Sequence, residues 1–162
     1  MSYHFEAAVA DLGREQQYIL LLKQIEAVVS GEADLIANLA NVSALLKYSL
    51  GFYWVGFYLV QDGQLVLGPF QGPIACSRID FGKGVCGSSA EQQRTIVVPD
   101  VDVFPGHIAC SAASKSEIVV PLVSNKNTRL ILDVDSEKSA DFNEVDGQYL
   151  EEVVAILAKY HF

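Results

Sequence analysis

The stretch Phe52-Tyr53-Trp54-Val55-Gly56-Phe57-Tyr58-Leu59-Val60-Gln61, then Asp62-Gly63, then Gln64-Leu65-Val66-Leu67, decides the fold class. Aromatic and β-branched residues favour a pleated strand, Asp-Gly is a two-residue hairpin turn, and the chain resumes extended beyond it. An antiparallel pair is predicted. Alternation sorts its first strand into Val55, Phe57 and Leu59 on one face and Trp54, Gly56 and Tyr58 on the other. The first face reads as core. On the second, Gly56 removes bulk between two amphipathic rings, leaving room either for a ligand or for a helix packed over the glycine.

Upstream, apolar residues recur at spacings of three and four from Arg14 to Ser30, closed by Gly31, and again from Asp34 to Leu50, closed by Gly51. Two amphipathic helices are predicted. Downstream, Gly68, Pro69, Gly72 and Pro73 read as a loop up to the first cysteine, and Thr95 to Val98 as a short strand ended by Pro99. Ile118 to Val123, the turn Asn125-Lys126-Asn127 and Arg129 to Val134 make a second hairpin, in which Pro121 marks an edge or bulge. Asn143 caps a last helix, with Asp146 three residues on. No repeat or linker interrupts the 162 residues, which read as one domain over 1–162. Helices, strands with loops, and a final helix predict an α+β fold around an antiparallel sheet.

Charge narrows the function. With 11 Lys and Arg against 20 Asp and Glu the net charge is −9, and no basic run is present, which argues against nucleic acid or an anionic membrane surface as partner. No stretch reaches the roughly 20 apolar residues of a membrane span, and Met1 to Ala10 lacks the basic and apolar regions of a leader. A soluble, cytoplasmic protein is expected. Its three cysteines then stay thiols unless they react.

Two constellations carry chemistry. In Leu130-Ile131-Leu132-Asp133-Val134-Asp135 the even positions are apolar, and Asp133 and Asp135 share the opposite face. Glu117 enters the neighbouring strand. Solvation is one outcome; three convergent carboxylates would instead suit an ammonium group, Mg²⁺ or Ca²⁺, or an oxygen that must be protonated. Cys76, Cys86 and Cys110 fall in glycine-bearing loops flanked by Arg78, Lys83, His107 and Lys115, cations that push a thiol toward thiolate. Cys86 also precedes a short helical stretch whose N-terminus favours the anion. A buried cysteine acting as a small hydrophobe is the alternative. Gly82 to Gly87 satisfies G-x-G-x-x-G without room for a crossover helix, and Cys76, Cys86, His107 and Cys110 lack the short spacing of a zinc site. No metal is predicted.

The sequence resembles the free methionine-(R)-sulfoxide reductases, single-domain enzymes of the GAF fold. The resemblance rests on Ala75-Cys76-Ser77-Arg78-Ile79, Phe81-Gly82-Lys83-Gly84-Val85-Cys86-Gly87, Val98-Pro99-Asp100-Val101, Phe104 through Cys110, Glu117 through Leu122, and Leu132-Asp133-Val134-Asp135-Ser136. Ser111-Ala112, where the family has Asp-Ser, and Leu130, where it has Gly, depart from the pattern. The resemblance implies a sheet with the N- and C-terminal helices on one face and ligand loops on the other. It implies Cys110 as nucleophile, Cys76 and Cys86 as the cysteines that turn a sulfenic acid into an intramolecular disulfide, and thioredoxin as the external reductant, with no bound cofactor. Glu117, Asp133 and Asp135 match the substrate-binding acids and Trp54 and Tyr58 the aromatic pocket wall. A homodimer through apolar stripes on the first and last helices is also expected. Competing readings are a small-molecule-binding GAF sensor, indifferent to its cysteines, and a peroxide-sensing thiol switch without a sulfoxide substrate.

Overall fold

A computed structural model describes residues 11–108 and 110–162. The reading of Met1 to Ala10, and with it the start of the predicted domain, lies outside the described residues. Both early helices form as their spacing dictates. Helix α1 spans Arg14–Ser30, and α2 spans Leu35–Leu50 with the Asp34 side chain accepting from the Ala37 amide. The first hairpin follows as β1 (Trp54–Gln61) and β2 (Gln64–Gln71), joined by Asp62 and Gly63, both at positive φ as a two-residue turn of this kind requires.

β2 runs four residues further than predicted, through Gly68 and Pro69. Between the pairs Gly56↔Phe70 and Tyr58↔Leu67 the single residue Phe57 faces both Gly68 and Pro69. This is a bulge, and a bulge tolerates a proline because the ladder hydrogen bonds are already interrupted there. Beyond the predicted loop, which ends at the first cysteine, the chain forms a three-residue strand, β3 (Arg78–Asp80), and a nine-residue helix, α3 (Gly84–Gln92). Cys86 therefore sits in the first turn of a helix, not in a loop. After β4 (Ile96–Val98) the second hairpin is β5 (Ser116–Ser124) and β6 (Asn127–Ser136). Its turn is tighter than predicted, with only Asn125 and Lys126 between the strands, both at positive φ. Pro121 lies beyond the last β4 partner, Val119, on a stretch of β5 that is an edge on that side. Helix α4 (Glu144–His161) opens with the capping box formed by Asn143 and Asp146.

The strands join in one antiparallel sheet of order β3-β2-β1-β6-β5-β4. One face carries Val55, Phe57, Ile118, Val120, Leu122, Leu130, Leu132 and Val134 into a core completed by α1, α2 and α4. There Tyr18 of α1 stacks on Tyr149 of α4 and donates to the buried Asp146 at 2.8 Å, fastening the first helix to the last. The opposite face packs Trp54, Tyr58, Val119 and Ile131 against α3 and the loops. The N- and C-terminal helices and the site loops thus take opposite faces of the sheet, as the resemblance to the GAF fold implies. No helix among the described residues is long and apolar enough to cross a membrane.

Candidate active site

The loop-covered face is hollowed by a cleft over the ends of β1, β5 and β6. It is lined by Trp54, Tyr58, Cys86, Cys110, Glu117, Asp133 and Asp135, so the topology gathers seven of the eight residues singled out from sequence. The eighth, Cys76, is bonded to Cys110 in a disulfide with Cα atoms 5.5 Å apart, and its neighbour Ala75 lines the cleft. Both cysteines are half-buried. A bonded pair excludes the Cys₃His zinc arrangement in this state.

Register explains why the acids meet. Glu117 of β5 lies opposite Asp135 of β6, and Val119 opposite Asp133, so alternation puts all three carboxylates on one face of adjoining strands. Each carries a raised pKa, first because burial penalises its charge. The Asp133 and Asp135 carboxylates push Glu117 higher still, and Asp135 pushes Asp133. Asp135 rises to about 6, restrained by a hydrogen bond donated from Ser114. One oxygen of Asp133, Oδ1, is buried without a hydrogen-bond partner. Such a cluster holds a proton or binds a cation, because adjoining like charges, two of them buried, are not otherwise tolerated.

Cys86 belongs to this cluster. Its Sγ donates to Glu117 Oε1 at 3.6 Å, and one donor atom each from Cys86, Glu117 and Asp133 fall within 4.8 Å of one another. Burial and then the Asp133, Glu117 and Asp135 carboxylates push its thiol pKa well up. The expected pull of the helix N-terminus toward thiolate is thus overturned, since a half-charge cannot offset complete burial beside three acids. Of the cations that flank the cysteines in sequence, Lys83 and His107 line the cleft, whereas Arg78 turns away to Gln64 on β2.

The aromatic wall is built differently from either reading of Gly56. Neither a helix nor an open gap lies over it: a Cβ there would meet Phe70 Cβ at 2.4 Å and the Trp54 ring at 2.5 Å. The glycine lets the indole fold back along its own strand, stacked on Phe70 with centroids 5.3 Å apart. Sequence reasoning missed Ser114, Tyr53 and Ser111, all of which line the cleft. Ser114 and Ser111 lie in the loop before β5, where no alternation pattern singles a residue out.

Residues 35–159 match the family described as GAF domain. The chain is 56% identical to the protein named GAF domain-containing protein A of Dictyostelium discoideum, over 89% of this chain and 92% of that one. It is 46% identical to the free methionine-R-sulfoxide reductase of Escherichia coli, over 91% of this chain and 90% of that enzyme. The chain belongs to the free methionine-R-sulfoxide reductase family of GAF domains. A further member, the Neisseria meningitidis enzyme solved in complex with its substrate, superposes with a TM-score of 0.92 at 51% identity, covering 98% of this chain and 94% of that one.

Proposed function

We propose that the protein reduces free methionine-(R)-sulfoxide to methionine with its own thiols. The observation that carries this reading is the adjacency of the Cys76–Cys110 disulfide to the buried Glu117 and Asp133 and the half-buried Asp135 in one cleft. The Cys110 thiolate attacks the sulfoxide sulfur and the sulfur–oxygen bond breaks. The oxygen leaves on Cys110 as a sulfenic acid while methionine departs with the electron pair. The Cys76 thiol then attacks Cys110, closing the disulfide and releasing water. A dithiol protein, thioredoxin, reopens it by exchange, so no bound cofactor is required.

The acids select the substrate. A free amino acid carries an ammonium group that Asp133, with its unpartnered oxygen, is placed to receive, and a peptide-bound residue lacks that charge. Glu117 and Asp135, held toward their protonated forms, are the groups suited to protonating the departing oxygen. Trp54 and Tyr58 form the wall for the S-methyl group. Because Cys76 is the partner of Cys110 while Cys86 donates into the acid cluster, we assign Cys76 the resolving step and Cys86 a hydrogen-bonding place beside Glu117. The same reading makes residues 1–162 one functional unit, places it in a reducing cytoplasm, and pairs two copies through apolar positions on α1 and α4 such as Ile19, Leu20 and Tyr160.

The test is thioredoxin-coupled consumption of free methionine-(R)-sulfoxide beside the (S) epimer and a peptide-bound (R)-sulfoxide. Turnover of the free (R) form alone supports the assignment. No turnover of any form by folded protein with three titratable thiols overturns it, in favour of a ligand sensor or a peroxide switch.

A further inference from the structure

The two cysteines that meet in the disulfide are carried on separate loops, residues 72–77 between β2 and β3 and residues 104–115 before β5, neither paired as a strand. Both are tied to the sheet near the head of β1, besides the Leu67 amide that donates to Ser77 O and the Ser114 hydroxyl that donates to Asp135. Tyr58 Oη donates to the Cys76 carbonyl oxygen at 3.0 Å, and Trp54 Nε1 donates to the Pro73 carbonyl at 3.0 Å. On the other side, the Tyr53 hydroxyl lies 3.2 Å from Ser111 Oγ, one residue beyond Cys110. We infer that Tyr53, Trp54 and Tyr58 are positioning residues for the redox pair: the strand β1 and the residue just before it carry polar aromatic tips that bring both cysteine loops together.

The strand is suited to this. β1 pairs on both sides, with β2 and β6, so its side chains issue from a backbone fixed in the middle of the sheet. Tyr53 is pinned at its head by its own amide, which donates to Asp135 O at 3.0 Å. The loop also lies directly on the indole: a Cβ on Gly72 would approach Trp54 Cδ1 to 2.5 Å, which only glycine permits. Meanwhile Ile74, between the two tethered carbonyls, is 89% exposed, so burial of its side chain does not hold the loop in place. Fixing two unpaired loops costs conformational entropy, and bonds to a rigid frame supply the orientation that raises one thiol's effective concentration at the other. Under this inference the aromatic residues serve disulfide closure as well as the pocket wall, and it rests on the resolving role assigned to Cys76.

The readout is the disulfide itself. Closure after a hydrogen peroxide pulse is followed by mass spectrometry. Cys110 thiolate attacks a peroxide oxygen, hydroxide leaves, and Cys76 then displaces the sulfenic oxygen as water. The equilibrium is read by titrating against dithiothreitol and its oxidised form, which exchange two electrons and two protons with the pair. Tyr58→Phe and Tyr53→Phe each keep the ring and delete one tether. Each is expected to lower the closure rate and the equilibrium constant for the oxidised form by about 3- to 10-fold, the value of one net hydrogen bond. Ser111→Ala should slow closure at least as much as Tyr53→Phe, because it also removes the acceptor of the Ala113 amide, and the double variant should be no worse than Ser111→Ala alone. These half-buried positions keep the test alive if the buried Tyr58 variant fails to fold. Wild-type rate and equilibrium in Tyr53→Phe and Ser111→Ala would overturn the inference. Tether-dependent closure in a protein that consumes no sulfoxide would overturn the proposed substrate and leave the inference standing.

Discussion

Leu132 and Asp133 are adjacent on β6 and both buried, yet they face opposite sides of the sheet and are held there by opposite means. Leu132 lies in an apolar core that also contains Leu130, Val134 and side chains from α1, α2 and α4. Asp133 lies with Glu117, Asp135 and Cys86 in a cluster where burial and the neighbouring aspartates raise the pKa values of Glu117 and Cys86, and one Asp133 oxygen has no hydrogen-bond partner. Apart from Asn38 Oδ1 on α2, the helix-covered face is largely apolar and satisfied by the protein's own atoms. The loop-covered face gathers buried acids instead, and under the proposed function a bound substrate completes it. Stability and function are therefore expected to separate by strand parity.

The largest effect should be chemical. Cys110→Ser removes the proposed nucleophile, and methionine formation should fall to background while the unfolding midpoint of the reduced protein stays close to wild type. Sustained thioredoxin-linked turnover by this variant would refute the assignment. Next in size is Leu132→Ala, which deletes a fully buried side chain from the helix-covered core. A loss of about 2–5 kcal/mol in urea unfolding is expected, with the Michaelis constant of the remaining folded fraction unchanged. A KM shift without a stability loss would show that the two faces are not independent.

One residue along, Asp133→Asn should do the reverse. It removes a charge meant for a substrate ammonium, so KM should rise about 10- to 150-fold, the equivalent of roughly 1.5–3 kcal/mol for a charged hydrogen bond. Stability should not fall with it. A carboxyl whose pKa is raised by folding binds its proton more tightly in the folded state, so ligand-free stability is highest in acid. It declines as pH climbs from the ordinary 3.8 through about 6 for Asp135, and further as Asp133 and Glu117 titrate. Urea midpoints of the ligand-free protein should decrease between about pH 4 and about pH 7, and Asp133→Asn should flatten that slope. A midpoint that rises over this range would contradict the raised pKa values.

Much of this contrast is legible from the chain. The i, i+2 alternation at 130–135 and 54–58 assigns faces correctly because a sheet packed on both sides leaves each residue only one of two environments. The helices are readable from period and caps, since Asp34, Gly51 and Asn143 act locally. What the sequence hides is what depends on partners distant along the chain. Pro69 reads as a breaker until its place opposite Phe57 in a bulge is known, and β3 is too short to show a pattern. Spacing does not choose between Cys76 and Cys86 as the partner of Cys110. The choice follows from α3 carrying Cys86 inward to the acids while the tethered 72–77 loop presents Cys76. Ser114 carries no signal because its partner, Asp135, is 21 residues away.

Gly56 sharpens the comparison at the smallest scale. It sits on the site face between Trp54 and Tyr58, at a point where that face is tightly packed. In Gly56→Ala the new methyl would overlap Phe70 Cβ and the far edge of the indole, and the Phe70 contact lies near the backbone, where it cannot swing aside. The indole must therefore move, carrying with it the hydrogen bond to Pro73 and the wall of the cleft. Overpacking of this kind costs about 1–3 kcal/mol, so the melting temperature should drop modestly. The decisive measurement is where the loss appears. If the wall and the Cys76 loop share one support, Gly56→Ala should raise KM and slow disulfide closure together. A variant that loses stability with neither change would show that Trp54 only fills space, and that the site face owes its specificity to the acids alone.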